Sequence, residues 1–139
     1  PAMFKDWIKP HISKMVDAVR AVQPEIKIML HSDGAVGALM EDFVELGIDV
    51  FHPMEPVVGL DVEEIKDDYG RQITFLGGID ITRAMPGTIK DVRADVDRCL
   101  SDLGKGGGYI LAPSNHLQHD VPAENVVELF RYARERGVY

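Results

Sequence analysis

The chain has 139 residues, with 23 acidic against 15 basic side chains and a formal net charge of −8. Hydrophobic residues make up 45% and charged residues 27%, the balance of a globular chain with a core to bury and not of a disordered one. No apolar run approaches the ~20 residues of a membrane helix, no basic cluster offers a nucleic-acid footprint, and the single cysteine, Cys99, excludes an internal disulfide and a multi-cysteine zinc site.

This composition predicts neither a nucleic-acid nor a membrane partner, and a reducing, cytoplasmic setting. The stretch from Met3 to Val22 is interrupted by Lys5, Asp6, Lys9 and Lys14, unlike a signal peptide. The chain opens on Pro1 with Met3 already at the start of a helical pattern, which reads as a piece of something longer.

From Phe4, apolar Trp7, Ile8, Ile12, Met15, Val16 and Val19 fall at spacings of three and four. That periodicity predicts an amphipathic helix of about five turns, kinked or split at Pro10 and stopped at Pro24. Ile26 to Leu30 alternates little, as in a strand buried on both faces. A second helix is predicted from Val36 to Leu46, capped by Gly47, and a strand from Ile48 to Phe51. A helix from Val62 to Tyr69 closes at Gly70, and Ile73 to Leu76 is the third strand. A long helix spans Thr88 to Leu103, with Cys99 on its apolar face, and Tyr109 to Ala112 is the fourth strand. The last helix starts near Pro122, a first-turn residue, and stops at Gly137. Strands alternating with helices give an α/β chain with a parallel sheet and right-handed crossovers. The turns holding Gly47, Asp49, Gly70, Arg71, Gly104 and Lys105 read as solvent loops.

Each strand finishes in a polar or glycine cluster: His31-Ser32-Asp33-Gly34, His52-Pro53-Met54-Glu55-Pro56, Gly77-Gly78-Ile79-Asp80 and Ala112-Pro113-Ser114-Asn115-His116. Ligands of parallel α/β folds gather at these C-terminal strand ends. His31 suits a metal ligand or proton shuttle, or a residue that satisfies a backbone group. Asp33, Glu55 and Asp80 suit acid–base or metal-ligand roles. Asp33 also suits a helix cap, and Asp80 a cap for the loop near Thr82. Asn115 and His116 suit donors to a carboxylate or carbonyl. His52 reads as a packed polar residue, and His119 and Asp120 as the start of the last helix. The glycine run 104–108 precedes a strand instead of opening a helix, so it reads as a turn and not as a phosphate loop.

The runs Phe4-Lys5-Asp6-Trp7-Ile8-Lys9-Pro10, His31-Ser32-Asp33-Gly34, Gly77-Gly78-Ile79-Asp80, Gly108-Tyr109-Ile110-Leu111 and Asp120-Val121-Pro122-Ala123-Glu124-Asn125-Val126 resemble the C-terminal part of the uroporphyrinogen decarboxylase superfamily. That superfamily includes corrinoid-linked (methylcobamide:coenzyme M) methyltransferases. The resemblance implies a parallel (βα)4 half of a TIM (β/α)8 barrel preceded by a helix, residues 1–139 forming one unit. It implies a parent enzyme of porphyrin metabolism that replaces carbon dioxide by a proton on a tetrapyrrole-type polycarboxylate without an external cofactor, the piece alone being inactive. The alternative is corrinoid (cobalamin) methyl transfer with a divalent metal such as zinc at His31. A third reading is a non-catalytic half-barrel that self-associates to cover its open edges, as a homo-oligomer or with a missing N-terminal half.

Asp33, Asp80 and His116 are the expected catalytic residues, and Glu55, Ser114 and Asn115 the expected substrate contacts. Where the decarboxylases carry Gly-His-Gly, this chain has Ser114-Asn115-His116. His31 matches the first zinc ligand of the methyltransferases, while Asp33 and Asn115 replace their cysteines. The residues therefore leave only a harder nitrogen–oxygen site of His31 with Asp33 or Glu55.

Overall fold

In the computed structural model, which describes residues 1–137, the first helical run is split as the proline demands. A π-helical turn, Phe4–Ile8, ends where helix α1, Lys9–Val22, begins. Pro10 occupies the first turn of α1, where its missing N–H costs no hydrogen bond. Four strands follow: β1 (Met29–His31), β2 (Val50–His52), β3 (Thr74–Ile79) and β4 (Tyr109–Pro113). They pair in sequence order, every pair parallel. Helices α2 (Met40–Glu45), α3 (Val62–Tyr69), α4 (Ile89–Asp102) and α5 (Ala123–Arg136) alternate with them. The result is the expected (βα)4 half-barrel.

Three local expectations are corrected. The first strand starts only at Met29, which is 57% exposed. With β2 as its one neighbour among the described residues it is an edge strand, not one buried on both faces. The helix expected over residues 36–46 breaks into a 3-10 turn, Gly37–Leu39, and the short α2. Asp49 is no loose turn residue. Its carboxylate accepts from Ile28 N at 2.9 Å, Arg20 at 3.0 Å and Lys27 at 3.1 Å, tying α1 to the start of β2.

The registers Leu30↔Phe51, Phe51↔Phe75 and Phe75↔Tyr109 place one row of side chains on the helix-covered face. Phe51 and Phe75 are fully buried there, with Met40, Phe43, Val92, Val96, Cys99, Leu103 and Leu129. The Phe43 and Phe51 rings stack at 5.4 Å. The alternate residues, Met29, His31, Val50, His52, Thr74, Leu76 and Ile110, form the other, concave face, because side chains of a strand point alternately to its two sides. Helix α4 is started by a capping box in which Thr88 and Asp91 satisfy each other's backbone N–H groups. Helix α5 is pinned to α4 by Glu128 on Arg93 (2.6 Å) and Tyr132 on Asp97 (3.0 Å). All four strand-to-helix loops open at the same end, since all strands run parallel.

Candidate active site

Equal register on neighbouring parallel strands brings two histidines together. His31 ends β1, His52 ends β2, and the two are Cα partners. Both project from the concave face, so their rings stack at 4.8 Å and their Nδ1 atoms approach to 2.6 Å. At that distance one Nδ1–H donates and the other Nδ1 accepts, so the pair holds one proton between these atoms. Gly77 of β3 makes room for this arrangement. A Cβ there would lie 3.3 Å from His52 Cδ2, and its φ of +110° is one that residues with a side chain rarely adopt.

Polar contacts continue outward from the pair, the first an ion-pair contact and the others hydrogen bonds. His31 Nε2 lies 3.4 Å from Asp33 Oδ2. Asn115 Nδ2 donates to Asp33 Oδ1 at 3.1 Å, closing the gap between the ends of β1 and β4. Asn115 Oδ1 accepts from His116 N at 2.8 Å and faces His116 Nδ1 at 2.9 Å. Glu55 joins from the β2 loop, its Oε2 accepting from Gly34 N at 3.4 Å. The run His52–His31–Asp33–Asn115–His116 therefore links three strand ends. Burial is the largest influence on His52 and pushes its pKa below the ordinary histidine value. The neighbouring His31 adds to that shift, while the Pro113 carbonyl and Asp33 oppose it.

Of the residues singled out in the sequence, His31, Asp33, Glu55, Asn115 and His116 come together. Asp80 stands apart from them. Its Oδ1 accepts from Thr82 N (2.8 Å), Thr82 Oγ1 (2.8 Å) and Arg83 N (3.0 Å), so it caps the loop after β3, and those bonds hold its carboxyl below the usual range despite partial burial. Ser114 is 1% exposed, and its Oγ has no hydrogen-bond partner among the described residues. His52, read from the sequence as packing, belongs to the network. The signal was its equivalence to His31 at the end of an apolar run, visible only once register is fixed.

As a metal site the cluster lacks donors. Among the described residues no three His, Cys, Asp or Glu side chains converge as a ligand set. Asp33 is turned to Asn115 and the Nε2 of His31, and the Nδ1 of His31 to His52. A closed zinc site needs four ligands and a catalytic one three from protein, so this donor set does not fit the metal.

The family described as Uroporphyrinogen decarboxylase (URO-D) has a sequence model that matches residues 1–136. Among curated proteins, uroporphyrinogen decarboxylase 2, chloroplastic, of Arabidopsis thaliana is 28% identical over 138 residues, covering 97% of this chain and 33% of its own. The uroporphyrinogen decarboxylase of Wolinella succinogenes is 27% identical over 139 residues, covering 98% of this chain and 38% of its own. Among solved structures, a methyltransferase from Methanosarcina mazei superposes with a TM-score of 0.78 at 22% identity, over 97% of this chain and 37% of that one. This likeness is one of fold. The chain thus spans little more than a third of the length of these relatives.

Proposed function

Because the chain belongs to the uroporphyrinogen decarboxylase family, we propose that it supplies the C-terminal half of the site of a decarboxylase acting on a tetrapyrrole-type polycarboxylate. The run of polar contacts across the ends of β1, β2 and β4 carries this reading. Such a substrate presents pyrrole N–H donors at its centre and carboxylates at its rim. The cluster offers the complement: Asp33 and Glu55 as acceptors, and His31, His52 and His116 as donors when protonated. Loss of carbon dioxide leaves an electron pair on carbon that a proton must quench. The imidazolium form of the His31–His52 pair is the acid in this reading: it gives one proton to that carbon and is left neutral, and Asp33 beside His31 Nε2 stabilises the cation that forms on reprotonation. No external cofactor enters this chemistry. His116 and Asn115 position a substrate carboxylate, and Asp80 acts through the shape of its loop.

The test is anaerobic incubation of uroporphyrinogen with the polypeptide in which this chain is encoded, products being separated by carboxyl number. Stepwise loss of carboxyl groups is expected, falling roughly 100-fold in His31→Ala, the scale of one acid–base group. Residues 1–139 alone are expected to be inactive. No product from the longer polypeptide overturns the reading.

The alternative reading, corrinoid-linked methyl transfer, requires a metal at His31, where the donor set among the described residues does not fit one. Stoichiometric zinc or another divalent ion, lost in His31→Ala, would establish that alternative instead.

A further inference from the structure

At the opposite end of the sheet, away from His31, a lysine is buried without a counter-charge. Lys66 lies on α3 and is 6% exposed. Taking an ammonium out of water costs several kcal/mol unless a carboxylate and good hydrogen bonds compensate. Lys66 Nζ donates to a backbone carbonyl, Gly107 O, and stands 5.7 Å from the centre of the Phe75 ring. Among the described residues no carboxylate forms an ion pair with it. The adjacent Asp67 turns instead to Lys105, at 3.6 Å. Burial accordingly pushes the Lys66 pKa below the usual lysine value.

Lys66 lines a cleft of about 310 Å³ together with Asp67, Gly70, Arg71, Lys105 and Gly106. Three cations and one carboxylate leave a local charge of 3 − 1 = +2, in a chain whose net charge is −8. We infer that this cleft between α3 and the glycine loop before β4 binds a phosphate group, as the free ion or on a small monoester. A phosphate dianion matches the residual charge. The Arg71 guanidinium suits two of its oxygens through a bidentate pair, and Lys66 and Lys105 serve as point charges. The volume lies at the lower end for ligand sites, which admits a small phosphorylated molecule and excludes a large one. The glycine run 104–108 is thus one wall of an anion site although it opens no helix. This assignment is independent of the chemistry at the strand ends.

The experiment is isothermal titration calorimetry of the chain with inorganic phosphate and with glycerol phosphate at constant ionic strength, chloride serving as the control anion. Saturable one-to-one binding with a dissociation constant of about 1 mM or tighter is expected, a modest value for so few charge-assisted contacts. Arg71→Ala and Lys105→Ala, both at exposed positions, are each expected to weaken binding about fivefold or more, the loss of one charge-assisted contact. Lys66→Met keeps the buried stem and is expected to abolish binding, its fold being checked by circular dichroism. Preference for glycerol phosphate assigns the group to a metabolite, and preference for the inorganic ion to free phosphate. Absence of saturable heat for both ligands, or binding unchanged in Arg71→Ala and Lys105→Ala, overturns the proposal.

Discussion

Gly78 leaves no space for a side chain. A Cβ there would meet Leu103 Cδ1 at 2.9 Å, the Tyr109 hydroxyl at 3.0 Å and Cys99 Sγ at 3.2 Å, from a backbone φ of +90°. Gly78→Ala is therefore expected to cost about 2–4 kcal/mol in urea unfolding, combining backbone strain with overpacking. Cys99, packed against the same point, has its thiol pushed up to about 12 by burial. Since the thiolate is the reactive form, Cys99 should resist thiol reagents at pH 8 in the folded chain and react once urea unfolds it. Fast labelling of the native chain would contradict that packing. Glu128 is perturbed in the other direction. Hydrogen bonds from Arg131 and Arg93 hold its carboxyl at about 2, against an ordinary value of 4.5. A depressed folded value means stability that is present above pH 4.5 and is lost as pH falls toward 2. The urea midpoint of the native chain should fall over that window, and Glu128→Gln should show a shallower fall and a lower midpoint at pH 7.

At the scale of elements, the ends of helices decide. The Thr88–Asp91 capping box begins α4, with Asp91 Oδ2 accepting from Thr88 N at 2.8 Å. Thr88→Ala should cost about 1 kcal/mol, measured by urea denaturation, as for other lost N-caps. The loop before α4 is closed by Asn125 of α5, whose amide donates to Met85 O at 2.9 Å and Gly87 O at 2.8 Å. These caps and stops were visible in the sequence: Thr88 before an apolar stripe, Pro122 before α5, Gly70 after α3. Those helices consequently fall where the sequence places them. Where no cap marks a boundary, tertiary context prevails. The 3-10 turn before α2 has no side-chain cap, and its apolar periodicity read as one continuous helix. Strand β3 runs on through Gly77 and Gly78 to Ile79, past residues that local propensity assigns to a turn. At the site, the strand-end clusters named His31, Asp33, Glu55, Asn115 and His116. The partnership of His31 with His52 depends on register between strands, across 21 residues of sequence, which no local pattern encodes. The same limit hid Lys66, whose burial depends on the loop before β4.

The molecule as a whole exposes what a closed barrel hides. Among the described residues, strands β1 and β4 each have one free edge, and the concave face between them carries Met29, 57% exposed, and Ile110, 50% exposed. The outer surfaces flanking those edges are apolar as well: Trp7 (73%) and Met15 (69%) on the N-terminal helical run, Val127 (68%) and Phe130 (54%) on α5. Unpaired parallel strands beside exposed apolar side chains are a template for further pairing, and eight strands are needed before such a sheet closes and fills its interior. Four strands bury one face only. We propose that residues 1–139, isolated, associate with a second copy that covers the edges and the concave face. Sedimentation velocity should show a dimer or larger species. The charged double variant Met29→Lys, Ile110→Lys should shift the population toward monomer with unchanged circular dichroism, because both positions lie outside the helix-covered core. A monomeric native chain that binds no apolar dye would mean that the open half-barrel is self-sufficient and would remove the need for any covering partner.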